Sequence, residues 1–100
     1  MFLHVVMLQL SDAADARFHD RVQGYCRRIL AECDGVRGYA FRPNQAGRSD
    51  GLTHAVVAAF SDSPAHDRYQ VSPAHLEMKA YMAGFIERLV VFDGEIPTLA

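Results

Sequence analysis

Residues 52–75 read LTHAVVAAFSDSPAHDRYQVSPAH, and one half of the fold is written in that stretch. Residues 52–60 are rich in small and β-branched side chains and predict a strand. Ser61-Asp62-Ser63-Pro64 then places a capping residue ahead of a proline, the start signal of a helix with Pro64 in its first turn. That helix runs to about Gln70, because Ser72 precedes Pro73 and is biased away from helical dihedrals. Ser72 can cap a second helix with Pro73 at its first position, reaching about Arg88. Leu89-Val90-Val91-Phe92 predicts a last strand closed by Asp93-Gly94, followed by a short tail over residues 95–100.

The other half mirrors this order. Residues 2–10 are almost unbroken in apolar character, relieved by His4 and Gln9, as expected of a strand covered on both faces. Phe2, His4, Val6, Leu8 and Leu10 share one face, and Leu3, Val5 and Met7 the other. Ser11 or Asp12 can cap a helix over residues 13–33, in which Phe18, Val22, Tyr25, Cys26, Ile29, Leu30 and Cys33 recur at steps of three and four. Asp34-Gly35 ends it, Gly35 being able to take the left-handed conformation. Residues 36–43 predict a second strand, joined to the third by the polar connection over residues 44–51.

Strand, helix, strand, strand, helix, strand in 100 residues is one α+β domain over residues 1–100. The arrangement it favours is a ferredoxin-like βαββαβ protomer, an antiparallel sheet with helices on one face. The first strand is apolar on both faces and the last throughout its length, so the uncovered sheet face calls for a second copy of the chain. The expected assembly is a homodimer forming a dimeric α/β barrel, with Val6, Leu8 and Val91 losing exposure on assembly.

Composition narrows the function classes. Half the residues are apolar, and 22% are charged, with both signs scattered and a formal net charge of −2. The only basic cluster is Arg27-Arg28, which gives no footing to a nucleic-acid partner. No apolar run approaches the ~20 residues that cross a bilayer. The N-terminal stretch lacks the basic leader and small-residue cleavage site of a signal peptide, so a cytoplasmic protein is expected. Cys26 and Cys33 lie seven apart on one helix face, roughly 10 Å along the axis, and so read as free thiols.

The pattern resembles the stress-responsive dimeric α/β-barrel (Dabb) family. The resemblance rests on His4-Val5-Val6-Met7-Leu8-Gln9-Leu10, on Thr53-His54 followed by an apolar strand ending at Phe60, on the turn from Tyr69 to His75, and on Val90-Val91-Phe92-Asp93. Together these span most of the chain in the family's order. Ser72 stands where the family usually has histidine before the proline. The resemblance implies the dimeric barrel fold. It also implies a cavity in which Tyr69 and His75 match two residues that, in a plant polyketide cyclase of the family, close a linear thioester by aldol condensation. His4 and His54 match histidines of that enzyme's cavity-lining strands.

The residues support the same candidates on chemical grounds. His75, at a helix N-terminus, is disfavoured from protonation and suits a general base, and Tyr69 offers a phenol donor for a developing oxyanion. His4, His54, Val56, Phe18, Tyr25 and Ser72 are the expected substrate-binding residues. No cofactor is expected, since Gly35 and Gly38 are followed by no strand-to-helix turn. No metal is expected either: no chelating spacing is present, and His66 and His75 fall in separate helices. Two functions follow. One is binding or acid–base chemistry on a small hydrophobic or aromatic ligand in an apolar barrel cavity, with polyketide-type aldol cyclisation its concrete form. The other is a dimeric stress-responsive protein that binds a hydrophobic metabolite or a protein partner and catalyses nothing.

Overall fold

Strand β1 (Phe2–Leu10) runs between β3 (His54–Phe60) and β4 (Ile86–Glu95), and β2 (Val36–Pro43) lies outside β3. Every pairing is antiparallel, and the order β2-β3-β1-β4 is that of a ferredoxin-like sheet. The computed structural model describes residues 1–98; Leu99 and Ala100, the end of the expected tail, lie outside them. Helices α1 (Ala16–Glu32), α2 (Ser63–Gln70) and α3 (Pro73–Met82) cover one face, with a 3₁₀ turn over Ala83–Phe85 leading into β4.

The helix starts are chemical. Asp15 caps α1 by accepting from the Phe18 amide at 3.0 Å, and Asp62 caps α2 by accepting from Ala65 at 2.9 Å. The expected start of α1 at Ala13, capped by Ser11 or Asp12, is therefore too early by about one turn. The Ala14 amide is already used by Ser11 O in a turn at 3.1 Å, and the helix begins beyond it. At its other end, α3 stops at Met82 and not near Arg88. Phe85 and Ile86 fit a helical stripe in the sequence, but Ile86 pairs with Leu10 and the Ser11 amide bonds Phe85 O at 2.8 Å. Pairing along the whole of β1 satisfies more backbone groups than one further helical turn.

Alternation sorts the sheet into two faces. Phe2, Leu8, Phe41, Val56, Ala58 and Phe60 pack under Phe18, Val22 and Ile29 of α1 and under the buried sides of α2 and α3. Phe18, Val22, Ile29 and Phe60 are wholly buried, each worth roughly 1.5–3 kcal/mol of apolar transfer. Leu8 is thus already covered by the protein's own helices; Val6 and Val91 share its face, Val6 partly buried and Val91 still about half exposed. Among the described residues no helix lies over the opposite face, which carries Val5, Val57, Val90 and Phe92.

The expected closure into a dimeric α/β barrel is corrected by this topology. Among the described residues β2 pairs only with β3, and β4 only with β1, so the sheet is open with two free edges. The chain satisfies its core by layering helices on a sheet, and the ferredoxin-like part of the expectation stands.

Candidate functional site

One cross-strand row on the helix-covered face is polar. Tyr39 of β2 lies opposite Ala58 of β3, Ala58 opposite His4 of β1, and His4 opposite Asp93 of β4. The next row, Phe41, Val56, Val6 and Val91, is apolar. Ala58 carries only a methyl between Tyr39 and His4. Tyr69 of α2 comes down there, its hydroxyl 2.8 Å from Tyr39 Oη and its ring centroid 5.7 Å from that of His4. Spacings of three and four on α2 bring His66, Tyr69 and Gln70 to this side together.

The corner between α2 and α3 adds the imidazole. Ser72 Oγ accepts from the His75 amide at 3.3 Å and donates to Tyr69 O at 2.8 Å, tying the end of one helix to the start of the next. His75 then packs against Tyr69 with ring centroids 4.3 Å apart. Between the α2–α3 corner and the β1–β4 side of the sheet opens a cleft of about 580 Å³. Its polar border includes His4, Tyr69, His75, Lys79 and Asp93; Val56, Met78 and Met82 are among its apolar walls. That volume and character suit a small, mostly apolar ligand with a few polar anchors.

The electrostatics separate a base from a donor. Nδ1 of His75 donates to Gln70 O at 2.9 Å, which leaves the lone pair on Nε2. Burial holds His75 below its ordinary pKa, with Lys79, His4 and His66 adding in the same direction and the bond to Gln70 opposing. Burial, more than the helix terminus, is what favours the neutral ring. Burial also pushes the phenols of Tyr69 and Tyr39 well above their ordinary range, so both stay protonated. Cys26 is free, buried and pushed up to about 11, chiefly by desolvation; Cys33 is free and partly buried.

Of the residues singled out from the sequence, the cleft brings together His4, Val56, Tyr69 and His75. It leaves out His54, Phe18, Tyr25 and Ser72. His54 sits at the other end of the sheet, stacked on Phe41 at 5.3 Å and 5.1 Å from His19, held below its ordinary pKa by burial and by His19. Phe18 is a core residue packed on Phe85 at 4.6 Å, and Tyr25 lies under Arg21 and Tyr81. Ser72 acts on the backbone.

Tyr39, His66 and Asp93 also belong to this site, although the sequence pattern marks His66 only as a histidine without chelating spacing and Asp93 only as the end of the last strand, and gives no sign of Tyr39. Alternation along β4 puts Asp93 on the face of Leu89 and Val91, and the three-residue step from His66 to Tyr69 puts both on one side of α2. Asp93 Oδ1 is hydrogen-bonded to His4 Nδ1 and lies 3.8 Å from His66 Nε2. One donor atom each from His4, His66 and Asp93 falls within 4.8 Å of the others, the one set among the described residues able to hold a metal.

Among the described residues no helix is long and apolar enough to cross a membrane. No curated protein matches the sequence significantly. Solved structures do match in fold. Hydroxynitrile lyase from Passiflora edulis superposes with a TM-score of 0.82 at 17% identity, over 99% of this chain and 95% of that one. A dimeric ferredoxin-like protein of unknown function from Jannaschia sp. CCS1 gives 0.83 at 20%, over 95% and 98%. A Dabb-family protein with a ferredoxin-like fold from Mesorhizobium loti gives 0.76 at 20%, over 97% and 96%. At these identities the likeness is one of fold. Sequence carries the assignment further: the family model described as Stress responsive A/B Barrel Domain (Dabb) matches residues 2–96, nearly the whole chain, and the protein belongs to that family.

Proposed function

We propose that the cleft binds a small, largely apolar carbonyl compound and carries out acid–base chemistry on it, with His75 as general base and Tyr69 as hydrogen-bond donor. The observation that carries this reading is the pairing of a neutral imidazole, its Nδ1 engaged by Gln70 O, with a phenol whose ring lies 4.3 Å away at the border of an apolar cleft. Nε2 takes a proton from the carbon next to a carbonyl, and the enolate oxygen is met by the Tyr69 hydroxyl. In the concrete form suggested by the resemblance to olivetolic acid cyclase, the enolate carbon attacks a second carbonyl of the same chain. A C–C bond forms, and the resulting alkoxide is reprotonated by the imidazolium. The fold likeness to a hydroxynitrile lyase is consistent with such side-chain chemistry in this scaffold. His4 and Val56 contact the ligand; His54, Phe18, Tyr25 and Ser72 support the frame around it. The chain acts as a homodimer through its uncovered sheet face, in keeping with the dimeric ferredoxin-like protein it resembles.

The test is turnover of poly-β-keto thioesters by the wild type, Tyr69→Phe and His75→Ala. Each variant should lose about 10- to 1000-fold with its circular dichroism unchanged. Full turnover in both removes these residues from the mechanism. Thermal stabilisation of the wild type by such compounds with no turnover assigns the cleft to binding alone.

A further inference from the structure

His4 Nδ1 and His66 Nε2 approach the same carboxylate oxygen, Asp93 Oδ1, from two different elements. His4 comes from the centre of the sheet, His66 from α2 and Asp93 from the edge strand β4. Both histidines are buried, their side chains 10% and 4% exposed, and their ring centroids are 4.7 Å apart. One shared proton satisfies the His4–Asp93 pair, while His66, at 3.8 Å from the carboxylate and so beyond a hydrogen bond to it, is met only by the Gln70 amide. A cation at the point of convergence satisfies all three donors together. We infer that His4, His66 and Asp93 form a binding site for a divalent first-row metal ion of the zinc class, at the sheet end of the cleft.

The donor set supports the assignment. Two imidazoles and one carboxylate suit zinc and its neighbours, and three protein ligands leave a position open. Tetrahedral ligands at 2.0–2.1 Å stand roughly 3.4 Å apart. The His66–Asp93 separation is close to that, and all three atoms lie within 4.8 Å of one another. Asp93 is on a free edge with its side chain 35% exposed, so it can rotate away from His4 to admit the ion. Phe2 stacks on His66 at 4.8 Å and Phe60 meets it edge-on at 5.2 Å, which fixes the ring in an apolar wall. The Gln70 amide nitrogen lies 3.3 Å from His66 Nδ1 and 3.1 Å from Nε2, so an ion on Nε2 requires this amide to turn away from that nitrogen and offer its oxygen to the Nδ1–H. His4 and Asp93 also border the cleft, so the open position takes an oxygen ligand from there, water or a ligand carboxylate or carbonyl.

The site includes neither Tyr69 nor His75 and shares only His4 and Asp93 with the cleft; the acid–base reading is tested separately by turnover of the Tyr69 and His75 variants, with the wild type also assayed after metal stripping. Its own test is titration of the stripped protein with Zn²⁺ alone by calorimetry, and with Co²⁺ by visible absorption. Wild type should bind one Zn²⁺ per chain, and the Co²⁺ form should show the intense d–d bands of a four- or five-coordinate ion. His66→Phe keeps the ring packing and Asp93→Asn keeps a hydrogen bond to His4. Each should weaken Zn²⁺ binding at least tenfold, a ligand being worth more than the roughly 10- to 100-fold of an outer-shell partner. His19→Gln, at the far end of the sheet, should leave binding unchanged. No Zn²⁺ uptake by the wild type, or a loss below tenfold in either folded variant, overturns the proposal. If His66→Phe does not fold, Asp93→Asn decides.

Discussion

A single hydrogen bond sets the character of His75. With Nδ1 given to Gln70 O, Nε2 is the only nitrogen left to accept a proton, and burial keeps the ring neutral to lower pH than a free histidine. The acid limb of a kcat/KM profile for a reaction that uses this base should therefore fall below pH 6.5, the ordinary histidine value. The linkage has the same sign. A histidine whose folded pKa is lowered contributes stability that is complete above the unfolded value and is lost as pH falls through the interval beneath it. His54 adds in the same direction. Urea midpoints measured from pH 8 downward should stay level and begin to fall as pH drops below about 6.5; a midpoint that rises on acidification contradicts the buried neutral rings. Tyr39 is the other residue whose role is local. Its hydroxyl is the partner of the Tyr69 hydroxyl, and Tyr39→Phe leaves that phenol without one. The buried unmet group should cost about 1–3 kcal/mol of stability, read as a lowered melting temperature.

At the scale of elements, the α2–α3 corner holds the candidate site in register. Ser72 caps α3 and anchors the last turn of α2, so Ser72→Ala should cost about 1 kcal/mol. It should also loosen the Tyr69–His75 approach, raising KM and lowering kcat together. Gly35 does comparable work after α1. At φ +81° it sits in the left-handed region, and a Cβ there would meet Ala65 Cβ at 2.7 Å and Ser61 Oγ at 2.8 Å. Gly35→Ala should destabilise by about 2 kcal/mol or more in chemical denaturation, strain and collision acting together. These devices were legible in sequence because they are local: a serine before a proline, a glycine after an apolar stripe. The start of β4 was not legible. Ile86-Glu87-Arg88 passes for a last helical turn, and only pairing with β1, some 75 residues distant in the chain, draws it into the sheet. The same holds for the site. Tyr69 and His75 announce themselves by one turn, whereas His66 and Asp93 join His4 only through the β1–β4 register and the docking of α2.

The whole molecule is a two-layer object with one layer missing a neighbour. The helices cover Phe2, Leu8, Val56 and Phe60, and the reverse side of the same sheet presents Val5, Val57, Val90 and Phe92. Val57, Val90 and Phe92 are each about half exposed, and Val57 lies in register with Val5 and Ala40 at the centre of that face. A contiguous apolar surface of this kind costs free energy in water that is recovered when like packs on like, and a two-fold axis lets one patch serve both chains. The sheet edges need not close for this: two open sheets stacked face to face at about 10 Å bury the patch while each keeps its own helices outside. Val57→Glu places a charge in the middle of the face, where folding of one chain tolerates it but stacking does not. Sedimentation at micromolar concentration should give two chains for the wild type and one for Val57→Glu, with the far-ultraviolet spectrum unchanged. A single chain for the wild type ends the dimer proposal, and a dimeric Val57→Glu moves the interface away from this face. The cleft lies on the helix-covered side. Monomeric Val57→Glu should accordingly still bind Zn²⁺ and cleft ligands, which separates assembly from chemistry: loss of both with the dimer would mean that the second chain completes the site.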